Sequence, residues 1–273
     1  MAFETLLYDV EDRVATLTLN RPERHNAFDR TMAMELKHVW QEIKRDPDVT
    51  CAIVTGAGDR ALCTGVDVTS VAEDGGFDRK DIPQEPPPFL EMTAVQNRCW
   101  KPVITAVNGM VCGGGLHFIA DSDLIVAAEH ATFFDNHVRV GMVSGLEPVG
   151  LIRRLGMEAV LRMSFLGGAE RMSAERAHQL GLVGDVVPAA QLLPRARELA
   201  SRIAAHSPTA LVASKRAIWE SLNRGLDDSL THAWDIISAH IGHPDSREGP
   251  AAFAERREPA WQPYGKRSSR GPT

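Results

Sequence analysis

The sequence predicts an α/β protein, with a mainly parallel sheet, crossover helices and a helical C-terminal part. Three observations carry this. Cys51–Thr55, Val103–Val107 and Leu124–Ala128 are short apolar runs of buried-strand length, separated by helical stretches. The first two run into glycine-bearing loops, Gly56-Ala-Gly58 and Asn108-Gly109 through Gly113-Gly-Gly115. After about residue 145 the apolar spacing becomes helical. A chain of 273 residues suits one large α/β unit with an appendage.

Taken in order, Arg13–Leu19 alternates and reads as a strand with one buried face. Asn26 to Asp46 reads as a helix with Leu36, Val39, Trp40 and Ile43 on one face, stopped at Asp46-Pro47. Residues 59–67 read as a loop, and residues 73–88, rich in Glu, Asp, Gly and Pro, as a mobile one. Glu91 to Trp100 reads as helical, and Arg153 and Arg154 as a solvated helix face. Ser173 is placed to N-cap a short helix that Gly181 closes. Ala190–Ala205 carries Leu193, Ala196, Leu199 and Ile203 at helical spacing. Ser207-Pro208 opens the next helix, and Leu230, Ala233, Trp234 and Ile237 line another.

Composition narrows the function. Apolar residues make up 44% and charged residues 24%, as in a soluble globule. The net charge of −6 gives no basic footprint for nucleic acid. No apolar run has transmembrane length, so no membrane partner is expected. The N-terminus lacks the basic and apolar regions of a secretion signal, and Cys51, Cys63, Cys99 and Cys112 form no C-x-x-C pair. A cytoplasmic location follows as the expectation.

The richest stretch is Ile104-Thr-Ala-Val-Asn-Gly-Met-Val-Cys-Gly-Gly-Gly-Leu-His117. Glycines between a strand and a helix let the backbone approach a ligand, and the helix behind turns N–H groups toward it. The spacing fits neither the dinucleotide motif nor the P-loop. A second loop, Ala61-Leu-Cys-Thr-Gly-Val-Asp67, follows the preceding strand. Two such loops at adjacent strand ends offer two N–H groups to one oxygen, the geometry of an oxyanion hole.

Six ordered segments now resemble the crotonase superfamily, the enoyl-CoA hydratase/isomerase family. They are Leu19–Ala27 (LNRPERHNA), Val54–Gly58, Ala61–Asp67, Ala106–Gly115, Met172–Val183 and Glu248–Arg257. The resemblance implies a crotonase-like spiral of ββα units over residues 1–200, a helical trimerisation region over 201–262 and a flexible tail over 263–273. It implies a homotrimer or dimer of trimers, and an acyl-CoA substrate with coenzyme A as part of it and no separate cofactor. The thioester oxygen would lie between the N–H groups of Val66 and Gly114. Arg24, His25, Asp67 and Arg256 fall on segments that meet coenzyme A in the family, Arg256 by reaching a neighbouring subunit. N-capping is the simpler role for Asp67. Phe89, Leu90, Met92 and Trp100 are candidates for an acyl pocket, although such residues are core by default.

The chain departs from the family where two glutamates are usual. Their positions fall on His117 and His137, with Asn136 as the neighbour if the register shifts by one. An imidazole can serve as base or acid near neutral pH. Asp135 and Glu147 are the nearest carboxylates in sequence and can orient a histidine or act as base. No third ligand stands at a metal-binding spacing, so no metal site is expected.

Three functions compete. The first is an acyl-CoA hydratase or isomerase working through a thioester enolate, with His137 as base and His117 placing water or donating a proton. The second is a β-diketone hydrolase cleaving a carbon–carbon bond by a retro-Claisen route, as in relatives that use histidines. The third is a catalytically degenerate acyl-CoA binder.

Overall fold

The computed structural model describes residues 3–69 and 91–265. The loop at 73–88, Phe89, Leu90 and most of the C-terminal tail lie outside the described residues.

The N-terminal half builds two sheets in alternation. Strands β1 (Leu6–Glu11) and β2 (Val14–Leu19) form an antiparallel hairpin, and a 3-10 turn at Pro22–Arg24 leads to helix α1 (Arg30–Arg45). Strand β3 (Cys51–Gly56) is followed by β4 (Ala61–Cys63), β5 (Val103–Val107) by β6 (Met110–Cys112), and β7 (Leu124–Ala128) by β8 (Thr132–Phe134). In each of these pairs the first strand joins a six-stranded sheet, in which β2, β3, β5 and β7 run parallel in that order. The second strand joins a four-stranded sheet, with β4, β6 and β8 parallel. Each pair is therefore one turn of a spiral, and the loop joining the two sheets recurs at the same level.

Between β6 and β7 lies the short helix α2 (His117–Ala120). After β8 come α3 (Leu146–Leu151), α4 (Met157–Leu166), β9 (Met172–Ser173), which closes the small sheet, α5 (Ala174–Gln179) and β10 (Asp185–Val187), which closes the large one. Helices α6 (Leu192–Ala204), α7 (Pro208–Ser221), α8 (Leu226–Ile241) and α9 (Asp245–Glu255) complete the described chain.

The central strands read as unbroken apolar runs because both faces are covered. One face of the large sheet, with Leu17, Ala52, Val54 and Val107, packs into the main core. The other, with Cys51, Ile53, Ile104, Ala106 and Val126, packs on Ala196, Ala200 and Ala204 of α6. Small side chains on α6 let the helix lie close to the sheet.

The structure redraws several expected elements. Helix α1 starts at Arg30, because Asp29 is extended and its side chain accepts from the Met32 N–H. Residues 61–63 are a strand inside the expected loop. Residues 91–100 are turns, not a helix. Glu91 and Arg98 have positive φ, and Asn97 donates its side-chain amide to the carbonyls of Glu91 and Thr93. The buried stripe of α6 is Leu192, Ala196, Ala200 and Ala204; of the expected face Ala196 is buried, Leu199 and Ile203 pack partly buried against the core, and Leu193 is exposed. Arg154 is only partly exposed, and its guanidinium donates to the carbonyls of Ala120, which ends α2, and Ser122. Ser173 and Ser207 cap α5 and α7 as expected, and Gly181 is left-handed.

Candidate active site

The site begins with the two glycine loops at the junctions of the sheets. Gly65 has φ +87°, and a methyl there would meet the Gly114 nitrogen at 2.8 Å, so the loops touch through bare backbone. A methyl on Gly115 would lie 2.3 Å from the Cys63 carbonyl oxygen. Side chains at either position would force the loops apart.

Hydrogen bonding fixes the direction of the donors. Phe28 N–H donates to Gly65 O at 2.8 Å, and Asp67 N–H donates to Phe28 O at 2.9 Å. These bonds form a parallel bridge between Phe28 and Val66. In such a bridge the central residue's own N–H turns to the opposite edge. The Val66 N–H therefore turns away from Phe28. Gly114 lies in the first turn of a 3-10 helix over Gly113–Leu116, where N–H groups have no partner within the helix. Only four residues of α-helix follow, so the helix dipole expected behind the glycines is small and local N–H groups carry the polarity.

Two buried asparagines hold the first loop. Asn108 donates to the carbonyls of Gly56, Gly58 and Ala61 and accepts from the Gly56 N–H. Asn26 donates to the carbonyls of Ala57 and Ala61. Both stand in motif segments of the sequence, but their role needs long-range contacts that spacing does not show.

A cleft of about 500 Å³ opens over these loops. Val66, Gly114, His137, Arg24, His25 and Asp67 all line it. Its apolar wall includes Met110, Phe134, Val140 and Met142. Met92, an expected pocket residue, is instead buried in the core, and Trp100 does not line the cleft. The Asp67 carboxylate is held by Arg21 at 3.0 Å and accepts from the Thr69 N–H. His25 Nε2 is buried with no hydrogen-bond partner among the described residues. Arg256 ends α9 in a left-handed conformation, is exposed, and lies outside the cleft lining of this chain.

The side chains expected to handle protons lie around His137 and Glu147. A methyl on Gly113 would sit 3.6 Å from His137 Cε1, so the ring stands beside the glycine loop. His137 Nδ1 lies 2.7 Å from Asp135 Oδ1, which also accepts the His137 backbone N–H at 2.8 Å. Ser144 donates to Asp135 Oδ2 at 2.5 Å. Asp135 is fully buried, and burial favours its neutral form, but the hydrogen bonds from His137 and Ser144 outweigh this and hold its pKa below the usual value. An ionised Asp135 accepts a hydrogen bond from Nδ1–H, so neutral His137 presents a lone pair at Nε2. The hydrogen bond to Asp135 raises the His137 pKa against the opposing effect of burial, and the charges of Asp135 and Glu147 add to the rise.

His117 and Glu147 are both buried and absent from the cleft lining. Glu147 Oε1 lies 3.4 Å from His117 Nε2 and 3.9 Å from His137 Nε2. Asp135, His137 and Glu147 place ligand-type atoms within 4.8 Å of one another, a clustering that sequence spacing did not suggest. Both Asp135 oxygens accept hydrogen bonds, Oδ1 from His137 and Oδ2 from Ser144.

A family model described as enoyl-CoA hydratase/isomerase matches residues 9–264. The chain belongs to the enoyl-CoA hydratase/isomerase family. It is 33% identical over 264 residues to (E)-benzylidenesuccinyl-CoA hydratase of Thauera aromatica, covering 93% of this chain and 97% of that protein. It is 32% identical to carnitinyl-CoA dehydratase of Escherichia coli O157:H7, covering 91% and 95%. An enoyl-CoA hydratase/isomerase from Mycobacterium paratuberculosis superposes with a TM-score of 0.85 at 39% identity, covering 96% of this chain and 99% of that one. The crotonase-like fold implied by the sequence segments is thus the fold observed. Among the described residues, no helix is long and apolar enough to cross a membrane.

Proposed function

We propose that this protein is an acyl-CoA hydratase or isomerase that stabilises a thioester enolate between the N–H groups of Val66 and Gly114. The observation that carries the reading is the placement of one imidazole, His137, beside two touching glycine loops. An α-proton of a thioester is too weakly acidic for imidazole alone. Two preorganised donors lower that barrier by about 3 to 4 kcal/mol each. His137, with its Nδ1 proton held by Asp135, is the group that takes and returns the proton. His117, set below the cleft, supports it and does not meet the acyl chain directly.

The similar hydratase and dehydratase differ in acyl group but share coenzyme A thioester chemistry by name. No cofactor beyond the coenzyme A of the substrate is required. Arg24 and His25 line the cleft where coenzyme A would run. Arg256 would serve a neighbouring subunit's ligand in a homotrimer or dimer of trimers.

The test is a panel of α,β-unsaturated and β-keto acyl-CoAs in heavy water, with products read by mass spectrometry. Gain of one heavy water shows hydration, and isomerisation appears as deuterium incorporation without hydration. The Asp135-buttressed His137 specifically favours a second reading, because such an imidazole also activates water toward a carbonyl. Scission of a β-keto acyl-CoA into a carboxylic acid and a shortened acyl-CoA would put the carbon–carbon hydrolase first. Binding without any mass change would favour the degenerate binder.

A further inference from the structure

The cleft reading above leaves a buried carboxylate unexplained. Glu147 is 5% exposed, lies in the first turn of α3, and points its Oε1 between the Nε2 atoms of two histidines. A buried carboxylate is costly unless paired.

The tautomer of His117 follows from its other neighbour. Gln96 Oε1 accepts from the Met92 N–H at 2.9 Å and the Thr93 N–H at 3.3 Å, which fixes the orientation of its amide. Its Nε2 therefore faces His117 Nδ1, at 3.3 Å, as a donor. Neutral His117 must then carry its proton on Nε2, the atom 3.4 Å from Glu147. That Nε2 is buried and has no aligned hydrogen-bond partner among the described residues.

We infer that Glu147 is a positioning residue which, with its Oε1 3.4 Å from His117 Nε2, stands behind His137 and holds its imidazolium form. In this arrangement His137 is flanked by Asp135 at Nδ1 and Glu147 at Nε2. When His137 takes a proton from the substrate, the N–H bond forms at Nε2 and the positive charge meets a carboxylate on each side. The same proton leaves Nε2 when it is returned. No proton needs to reach His117 or Glu147.

The other groups around His137 do not replace this role. Cys112, on β6, has its thiol pushed up to about 12 by burial and then by the charge of Asp135, and stays neutral. Arg171, before β9, lies over the Phe134 ring and lines the cleft, and a cation cannot hold an imidazolium. Arg139, which follows His137 in the same 3-10 turn, is likewise a cation. Asp121, at the end of α2, is buried with its pKa raised by burial, Thr93 donates to it, and the histidine whose charge it feels is His117. The proposal rests on the cleft reading only in taking His137 as the acid–base group.

The test follows the His137 ring by NMR in full-length histidine-labelled protein without substrate, assigned with His137→Gln. Glu147→Gln should lower the His137 titration midpoint by about one pH unit. Glu147→Asp, which keeps the charge, should restore most of it. A midpoint unmoved in Glu147→Gln would overturn the inference. Should that variant fail to fold, the Glu147 carboxyl signal of wild-type protein decides, assigned by its loss in Glu147→Asp. It should shift in step with His137, and a signal indifferent to His137 ionisation would equally overturn the role. The NMR readout needs no substrate, so it can fail while thioester chemistry stands, and the heavy-water panel can fail while it succeeds.

Discussion

At the scale of single residues, the proposed chemistry rests on His137 and its partner. Replacing His137 by Gln removes the proton acceptor without emptying the space. Turnover is expected to fall about 10²- to 10⁴-fold, measured as kcat on whichever thioester the wild type converts. Asp135→Asn should remove the acceptor that fixes the Nδ1 proton. Because the Asp135 hydrogen bond raises the His137 pKa, its loss should move the acid limb of the pH–rate profile downward. The stability linkage has a definite sign. The raised His137 pKa contributes stability that is complete below about pH 6.5, its unfolded value, and is lost as pH rises through the folded pKa. Asp135 contributes in the opposite sense, with stability present above the unfolded carboxylate pKa and lost as pH falls through its depressed folded value. Denaturant unfolding across pH, wild type against Asp135→Asn, checks both.

At the scale of elements, the fold places the site by pinning loops between two sheets. Asn108 is the clearest pin, with its amide serving three carbonyls and one N–H. Asn108→Ala should cost about 2 to 3 kcal/mol, read by urea unfolding, with a larger loss of turnover than of substrate binding. The elements themselves were unevenly legible. Strands β3, β5 and β7 announced themselves because burial on both faces makes them unbroken apolar runs. Strands β4, β6 and β8 are three residues each, too short for any period to register. The 91–100 segment misled because its Asn97 and Gln96 side chains bond backbone groups and stabilise turns over helix. The sequence singled out His117 and His137 by their places in a family pattern, and the structure puts both beside Glu147. The dependence on Gln96, Ser144 and Asn26 was not visible in it, since each contact joins residues that only the folded chain brings together.

At the scale of the whole molecule, the last helices leave an apolar face uncovered within one chain. Leu226, Leu230, Trp234, Ile237 and Ile241 of α8 are each at least half exposed, which is unusual for a monomer. We propose that this face is buried between subunits of the homotrimer or dimer of trimers. Light scattering with size-exclusion chromatography should give a multiple of three chains, and Leu230→Glu should reduce it. Removal of divalent metals with a chelator is expected to leave activity unchanged, and activity loss restored by a metal ion would reassign the Asp135, His137 and Glu147 cluster. The spiral architecture, unlike the subunit count, follows from the alternation of strands between two sheets and the family membership.

The most direct test of the central claim is exchange at the α-carbon of butyryl-CoA, a saturated thioester that can only form the enolate and return. In heavy water the wild-type protein should wash deuterium into the α-position, and His137→Gln should slow this by about 10²-fold or more. Butyryl-CoA bound in the cleft with no α-exchange, or exchange unaffected by His137→Gln, would contradict the account.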